Sequence, residues 1–421
     1  MSLIAVTIAA LIGFIAASAA FLLTRRRRTS RVTLDYDTLP PIEQGLATLA
    51  GVSWASVHEG NRVKVYHNGR LFDAIEEDLK TAQHSIHLET FVWEASDIER
   101  RLVDVLTDKC RSGVEVRVLI DAMGGQKASP EQIKRLRDAG VWLEEFCKPR
   151  WWNIRRMNHR THRKLLIVDG RIGYTFGHGI ADRWLGNAEN PQQFRDVGVR
   201  LEGPVAHAMQ SVFVENWIEE TNHAPLGDDF FPNLEACGEV SAHVVSSASG
   251  DAVSAVALFY TAAIASAKKE VIIQNPYFVP DREFIGLLAE VVERGVSITL
   301  MVPGEHTDSP VVRRAGCRLY ADLLRAGVRL YEYQPTLLHQ KVIVIDGQWS
   351  HIGSANFDER SLALNEEVGV GILDVTVAND LREAFAEDLQ HSREITLEQW
   401  LKRSWYAGAK DWLAYQLQAQ L

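Results

Sequence analysis

The chain has 421 residues, which is long enough for two domains of ordinary size, each with its own hydrophobic core. Lysine and arginine number 45 against 55 aspartates and glutamates, a formal net charge of −10, and this acidic balance argues against a general nucleic-acid binder, which usually carries a basic domain. The four cysteines are far apart and form no paired motif, so the sequence predicts neither a disulfide framework nor a cysteine-based metal site.

The N-terminal residues Leu3–Leu23 form an apolar run with only Thr7 and Ser18 as polar interruptions. A helix of that length, rising about 1.5 Å per residue, can cross the roughly 30 Å hydrocarbon layer of a membrane. Four arginines follow the run and none precedes it, unlike the charge order of a cleaved signal peptide. We therefore expect residues 1–28 to be a single-pass anchor in the cell (inner) membrane, with the rest of the chain cytoplasmic. A buried helix of a soluble protein is the alternative.

Beyond this segment, apolar strand-like runs alternate with helical stretches such as Ile98–Cys110 and Glu283–Arg294. The alternation occurs twice, with similar sequences at similar spacing, and predicts an α/β protein made of two homologous halves. A stretch containing Pro and Gly separates the halves. The predicted boundaries are 29–60 for a connector, 61–222 for the first half, 223–239 for the linker, 240–395 for the second half and 396–421 for a C-terminal segment.

One short signature, His-x-Lys-x4-Asp, occurs in both halves, 177 positions apart. Each copy lies on a short apolar run that reads as a strand, and residues two apart on a strand point the same way. Each strand therefore presents an imidazole and an ammonium group side by side. The aspartate of each copy precedes glycine, a strong turn signal, so it is either a turn former or a member of the site. The copies are His162, Lys164 and Asp169 in the first half and His339, Lys341 and Asp346 in the second.

An acidic residue follows each motif histidine by a few tens of positions, on another apparent strand: Asp196 in the first half and Glu367 in the second. A carboxylate there could accept the Nδ1 proton of an imidazole and fix its tautomer. The two acids are therefore candidates for orienting the histidines.

Two histidines and two lysines suit the cleavage of a phosphate diester. Ammonium groups neutralise the charge that builds on the phosphoryl oxygens. One neutral imidazole can attack phosphorus to give a covalent phosphohistidine, while the other, protonated, donates to the leaving alcohol. Because the chain contains neither a His-Glu-x-x-His nor a Cys-x-x-Cys motif, we expect no metal ion and no other cofactor.

Two further segments combine basic and aromatic residues. Lys148–Arg156 lies directly before the first motif, where its tryptophans could meet a lipid interface or pack inward. The C-terminal segment 396–421 holds Trp400, Trp405 and Trp412 with three basic residues. It is either an amphipathic interfacial helix or part of the core.

The doubled motif resembles that of the phospholipase D superfamily, and the resemblance covers nearly all of residues 60–395. It implies two phospholipase D-type α/β sandwich halves packed around one shared active site. Four segments are more narrowly similar to bacterial cardiolipin synthases: Asn158–Lys164, Pro276–Asp281, Leu323–Tyr333 and Gly353–Leu362.

The resemblance also implies roles for individual residues. His162 would be the nucleophile and His339 the general acid and base, although the sequence alone is symmetric on this point. The remaining roles are phosphate binding by Lys164, Lys341 and Asn356 with help from Ser354, and orientation of the histidines by Asp196 and Glu367. The first half departs from the family pattern, because Gly179 stands where the family commonly has an asparagine.

The function implied is that of a membrane-bound phosphatidyltransferase, which makes cardiolipin and glycerol from two phosphatidylglycerol molecules. A hydrolytic phospholipase D, with water as acceptor, has the same catalytic set. The sequence also leaves open a nucleic-acid phosphodiesterase and an inactive membrane scaffold. We expect a phospholipid substrate, phosphatidylglycerol, and no nucleic-acid partner.

Overall fold

The computed structural model describes residues 11–14, 39–148, 158–248 and 253–417. Elements of the first half, with a short preceding helix, are α1 (Leu46–Val52), β1 (His58–His67), α2 (Arg70–Thr81), β2 (Ser85–Thr90), α3 (Asp97–Arg111), β3 (Glu115–Asp121), α4 (Pro130–Asp138), β4 (Trp142–Phe146), β5 (Arg160–Thr161), β6 (Leu165–Val168), β7 (Ile172–Phe176), β8 (Val197–Glu202) and α5 (Val205–Thr221).

Elements of the second half and the C-terminal segment are β9 (Val240–Ser247), α6 (Ala255–Ser266), β10 (Glu270–Gln274), α7 (Arg282–Glu293), β11 (Ser297–Pro303), α8 (Pro310–Cys317), α9 (Tyr320–Arg325), β12 (Arg329–Tyr333), β13 (Val342–Ile345), β14 (Trp349–Gly353), α10 (Glu359–Ala363), β15 (Asn365–Leu373), α11 (Val375–Gln390), β16 (Ser392–Ile395), α12 (Leu397–Leu401) and α13 (Trp405–Tyr415).

The two halves repeat one arrangement of strands. In the first, β2, β3 and β4 run parallel and β6 joins β2 in the antiparallel sense. In the second, β10, β11 and β12 run parallel and β13 joins β10 antiparallel. The halves join where β1 pairs with both β8 and β9. The strand order across the whole sheet is β16-β12-β11-β10-β13-β14-β15-β9-β1-β8-β7-β6-β2-β3-β4.

Three hydrophobic clusters hold the strands and helices together. One lies between the first-half strands and helices α2 to α4, and another between the second-half strands and helices α6 to α9. The third is shared, because side chains of β6 and β8 pack with those of β13 to β15 and with helices α5 and α11. Burying one large apolar side chain contributes about 1.5–3 kcal/mol, so the shared cluster fixes the halves relative to each other.

Each motif strand is shorter than the sequence predicts. The ladders of β6 and β13 begin at Leu165 and Val342, three residues after the histidine, and all four residues of each strand are buried. The histidine and lysine therefore lie in the segment that enters the strand. That segment leaves the sheet of its own half and forms backbone hydrogen bonds with the other half.

Most of the predicted anchor, residues 1–28, lies outside the described residues, as do residues 149–156 of the basic and aromatic segment. Among the residues that the structure describes, no helix is both long enough and apolar enough to cross a membrane. The C-terminal segment forms α12 and α13. Trp400 packs against the second-half core, whereas Trp405 and Trp412 are exposed.

Candidate active site

The two motifs meet at one cavity of about 370 Å³. His162 and His339 both lie on its wall, together with Lys164. The full lining is Phe91, Val92, Lys127, His162, Lys164, Arg183, Trp184, Phe194, Tyr277, Asp308 and His339. The histidines of the two halves therefore face one shared cavity.

His162 is held by the backbone of the second half. The two residues of β5 pair in parallel with the start of β15, and the His162 N–H donates to the Glu366 carbonyl over 2.8 Å. This short ladder places the imidazole beside the next residue, Glu367, whose carboxylate oxygens lie 2.9 and 3.0 Å from His162 Nδ1. The orienting acid of the first histidine thus comes from the opposite half of the chain.

His339 is held in the equivalent way by the first half. Leu338 forms a parallel bridge with Arg195, and the His339 N–H donates to the Arg195 carbonyl over 2.8 Å. Asp196 follows, and its Oδ2 lies 2.7 Å from His339 Nδ1. The carboxylates are therefore exchanged between the halves, whereas the order along the chain places each acid after the histidine of its own half.

Burial sets the charge of the first imidazole. Loss of water lowers the pKa of His162 to about 4, and the neighbouring Glu367 only partly offsets this effect. The positive charges of Lys164 and Lys341 lower it further. His162 is therefore neutral near pH 7, with Nδ1–H donating to Glu367 and Nε2 free to act as a nucleophile.

The second imidazole has an environment with more negative charge. Burial and the charge of Lys341 lower the pKa of His339 below its usual value, and Asp196 and Asp308 offset only part of this lowering. Asp196 itself has a pKa held below its usual range, against the effect of burial, because His178, His339 and Lys341 surround it. An ionised Asp196 beside Nδ1 stabilises a proton on the other nitrogen of His339.

The motif lysines are buried and each is tied to its own histidine. Lys164 Nζ donates to the His162 carbonyl over 2.8 Å, and Lys341 Nζ donates to the His339 carbonyl over 2.6 Å. Burial lowers the pKa of Lys164 to about 7 and that of Lys341 to about 8. Carboxylates of both halves raise these two pKa values and offset part of the effect of burial. The charges of the two half-sites are therefore coupled.

Asn356 and Ser354 differ in their positions. Asn356 is buried, does not contribute to the cavity wall, and its side-chain oxygen has no hydrogen-bond partner within the described part of the chain. Ser354 Oγ donates to Glu367 and therefore acts on the carboxylate. At the matching first-half position a Cβ on Gly179 would lie 2.6 Å from Val92 Cβ, so there is no room for an asparagine.

The motif aspartates lie at the other end of the motif strands, in turns with positive φ. Asp169 accepts the backbone N–H groups of Gln83, His84 and Ser85, at the start of β2. Asp346 accepts those of Lys268, Lys269 and Glu270, at the start of β10. Neither contributes to the cavity wall. This geometry is that of a turn former and not of a group that touches substrate.

Several residues of the site carry little or no signal in the sequence. Trp184 donates its Nε1–H to Asp196 Oδ2 over 2.8 Å and contacts the His339 ring. Arg183 stacks on the rings of Trp184 and Phe194 and forms an ion pair with Glu94. These residues lie in the connection after β7, which has no motif. Tyr277 belongs to a segment similar to the family but has no pattern that indicates a role, and Asp308 has no signal.

The segment before His162 has its own support. The Thr161 N–H donates to Asp121 Oδ2 over 3.1 Å, and its hydroxyl donates to buried Glu89. Burial raises the pKa of Asp121 to about 6 and that of Glu89 to about 7. Arg163, fully buried, donates to the Val212 and Ser247 carbonyls. These contacts fix the backbone from which the first imidazole and ammonium group project.

Comparison with known proteins gives the family of this chain. The family model described as "Cardiolipin synthase, PLD-like domain" matches residues 75–210 and 260–389. The chain belongs to this family. Relatives include the major cardiolipin synthase ClsA of Bacillus subtilis, 35% identical over 84% of this chain and 74% of the relative, and cardiolipin synthase 1 of Staphylococcus epidermidis, 35% identical over 86% and 74%. It is thus a phospholipase D-type enzyme of the cardiolipin synthase family, as its doubled motif predicts.

Solved structures share the fold at low sequence identity. The phosphatidylserine synthase of Haemophilus influenzae aligns with a TM-score of 0.65 and 14% identity, covering 85% of this chain and 95% of that one. The polyphosphate kinase of Porphyromonas gingivalis aligns with a TM-score of 0.54 and 13% identity, covering 88% and 52%. Both likenesses support the two-half α/β architecture.

Proposed function

We propose that the protein is a membrane-bound phosphatidyltransferase that converts two phosphatidylglycerol molecules into cardiolipin and glycerol. The observation that carries the proposal is one cavity with two imidazoles on its wall, each with Nδ1 on a buried carboxylate from the opposite half. Such a pair supplies a nucleophile and an acid to a single phosphorus. The names of the relatives supply the product, cardiolipin.

In the first step, the Nε2 lone pair of His162 attacks the phosphorus of one phosphatidylglycerol. The bond from phosphorus to the glycerol oxygen breaks, and that oxygen takes a proton from His339. In the second step, a hydroxyl of another phosphatidylglycerol gives its proton to His339 and attacks the same phosphorus. The bond to His162 breaks, and cardiolipin leaves with both histidines in their original states.

The charges around the cavity support His162 as the nucleophile. A nucleophile must be neutral, and burial gives His162 a pKa of about 4. The acid must hold a proton, and two carboxylates, Asp196 and Asp308, act on His339. In the free protein burial and Lys341 still lower the pKa of His339, and a bound phosphodiester anion, a third negative charge, raises that pKa again so that His339 can hold its proton. Lys164 and Lys341 stabilise the charge that builds on the phosphoryl oxygens.

A membrane location fits both ends of the chain. Residues 1–28 have the length and the flanking arginines of an anchor that leaves the rest of the chain in the cytoplasm. At the other end, α13 exposes Trp405, Tyr406, Trp412 and Leu413, with Trp405 82% exposed. Exposed aromatic side chains beside a lysine, Lys410, suit the interface of an anionic bilayer.

Product analysis with defined lipids tests the function. Purified full-length protein in phosphatidylglycerol vesicles should yield cardiolipin and free glycerol in equal amounts, measured by mass spectrometry. His162→Ala should abolish both products. A wild-type protein that releases only phosphatidic acid would be a hydrolytic phospholipase D instead. Because no step uses a metal ion, chelator should leave the rate unchanged, and loss of activity restored by a divalent ion would contradict the mechanism.

A further inference from the structure

The cavity wall carries one feature that phosphate binding does not explain. Of the eleven lining residues within the described part of the chain, Asp308 is the only acidic one, and the basic ones include Lys127, Lys164 and Arg183. A carboxylate on this wall repels a phosphodiester anion. Its position must therefore favour another part of the substrate.

Asp308 is held in place and is otherwise available. It lies in the loop between β11 and α8, and its Oδ1 accepts the Tyr277 hydroxyl over 2.7 Å. Among residues 39–148, 158–248 and 253–417 it forms no ion pair, whereas Glu94 near the same cavity is paired with Arg183 and Lys127. One carboxylate oxygen thus has a fixed orientation, and the other is left to accept hydrogen bonds from a ligand.

The position of Asp308 is on the side of the general acid. It shares the cavity wall with His339, and its negative charge acts on both His339 and Lys341. In the proposed reaction His339 delivers a proton to the oxygen of the leaving alcohol. The other hydroxyls of a glycerol leaving group are attached one and two carbons from that oxygen, so they are the substrate groups nearest to this proton transfer.

We propose that Asp308, oriented by Tyr277, is the binding subsite for the free hydroxyls of a polyol headgroup. The inference rests on the proposed transferase function and names its alcohol-specificity residue. A carboxylate accepts hydrogen bonds from neutral hydroxyls and repels anionic groups, so this subsite selects a glycerol-type alcohol. The same subsite serves twice: it holds the leaving glycerol in the first step and the glycerol headgroup of the second phospholipid in the second.

The test is a competition between two soluble acceptors, glycerol and 1-propanol, which have the same carbon chain but differ by two hydroxyls. Phosphatidylglycerol vesicles are incubated with the full-length protein and an equimolar mixture of deuterated glycerol and 1-propanol. The ratio of deuterated phosphatidylglycerol to phosphatidylpropanol is read by mass spectrometry. The wild type should prefer glycerol, and Asp308→Asn should lower the ratio roughly tenfold, as expected for loss of a charged hydrogen-bond acceptor.

Two more variants make the result specific. Tyr277→Phe removes only the hydroxyl that orients Asp308 and should lower the ratio by a few-fold. Glu305→Gln is the matched control, because Glu305 is an exposed carboxylate in the same loop that does not line the cavity, and its ratio should equal that of the wild type.

The outcomes separate this inference from the proposed function. If the wild type transfers to neither alcohol and makes no cardiolipin, the transferase function itself fails. If the wild type makes cardiolipin but Asp308→Asn keeps the glycerol preference, the subsite is wrong. Equal losses with glycerol and 1-propanol also overturn it, because they show that Asp308 acts only through the charge of His339.

Discussion

The two half-sites orient their histidines with different residues. Glu367 accepts Nδ1–H of His162 and a hydrogen bond from Ser354, whereas Asp196 accepts Nδ1–H of His339 and a hydrogen bond from Trp184. At the position equivalent to Ser354 the first half has Gly177, where a Cβ would lie 2.1 Å from Asp196 Oδ1. A shorter acid that approaches the backbone excludes the serine, and the second donor must come from elsewhere.

Both half-sites therefore have a carboxylate that orients the histidine, whereas the second residue that donates a hydrogen bond to this carboxylate differs between them. The connection from His162 to Asp196 is longer by six residues than that from His339 to Glu367, since 34 exceeds 28 by 6, and it contains Trp184. That indole also contacts the His339 ring. Phe194, in the same connection, also packs against that ring. The longer connection therefore supplies aromatic contacts to the imidazole that exchanges protons.

Replacing the histidines should produce the largest effects. His162→Ala and His339→Ala should each reduce cardiolipin formation by roughly 10⁴-fold or more. The comparison is sharpened with a phosphatidyl ester of p-nitrophenol, a leaving group that needs no proton. His339→Ala should then release nitrophenol at a substantial rate in a burst, and His162→Ala should not. A burst from His162→Ala instead would reverse the assigned roles.

The carboxylates come next and test the exchange between halves. Glu367→Gln and Asp196→Asn should each lower kcat by roughly 10²–10⁴-fold, because the histidine tautomer is no longer fixed. Since Glu367 serves His162, its variant should stay slow with the nitrophenyl ester. Asp196→Asn should recover with that ester, because Asp196 serves the acid. Recovery of Glu367→Gln alone would mean that the carboxylates serve the other histidines.

The pH profile of kcat/KM reports the protonation states of the histidines and lysines of the two half-sites. His162 must be neutral, so activity should rise with pH through its pKa of about 4. His339 must hold its proton and Lys164 and Lys341 must be charged, so activity should fall as pH rises through the lowered pKa of His339 and then through the lysine pKa values of about 7 and about 8. The maximum should lie between these limits, whose apparent values belong to the coupled group.

Lys164→Arg is the matched variant for the basic limb. A guanidinium keeps its charge, so the fall above pH 7 should move to higher pH even if the maximal rate is lower. A basic limb that stays in place would assign it to another group.

Smaller effects should follow from the two donors. Ser354→Ala and Trp184→Phe each remove one hydrogen bond to a buried carboxylate, worth about 1.5–3 kcal/mol, and should lower kcat by about tenfold or more. Phenylalanine preserves a ring at the position of Trp184. The effect of Ser354→Ala should appear in the nitrophenol burst and that of Trp184→Phe should not.

The motif aspartates should affect stability more than chemistry. Asp169→Asn and Asp346→Asn keep a side chain that tolerates positive φ but lose the charge that accepts three backbone N–H groups. Each should lower the free energy of unfolding in urea by about 1–3 kcal/mol. The kcat of the folded protein should fall far less than for the histidine variants, and a roughly 10⁴-fold loss without loss of stability would place these aspartates in the reaction.

Much of the site could be predicted from the sequence because its signals are local. The spacing of His162 and Lys164, the repeat at His339 and the following carboxylates are all patterns within one strand or a pair of strands. The exchange of carboxylates could not be predicted, since it depends on short ladders between the halves that leave no periodic pattern. Trp184 and Asp308 act from loops, where sequence patterns say little about which side chains meet.

The most direct test of the central claim is to quench the reaction of labelled phosphatidylglycerol with alkali, in which a phosphohistidine bond survives, and to map the modified peptide by mass spectrometry. Two imidazoles with unequal roles at one phosphorus predict a phosphatidyl group on the His162 peptide in the wild type. In His339→Ala the same peptide should carry more label at long times, because the base that takes the proton of the acceptor hydroxyl in the second step is absent. Label on His339, or cardiolipin formed with no labelled histidine at any time, would contradict the account.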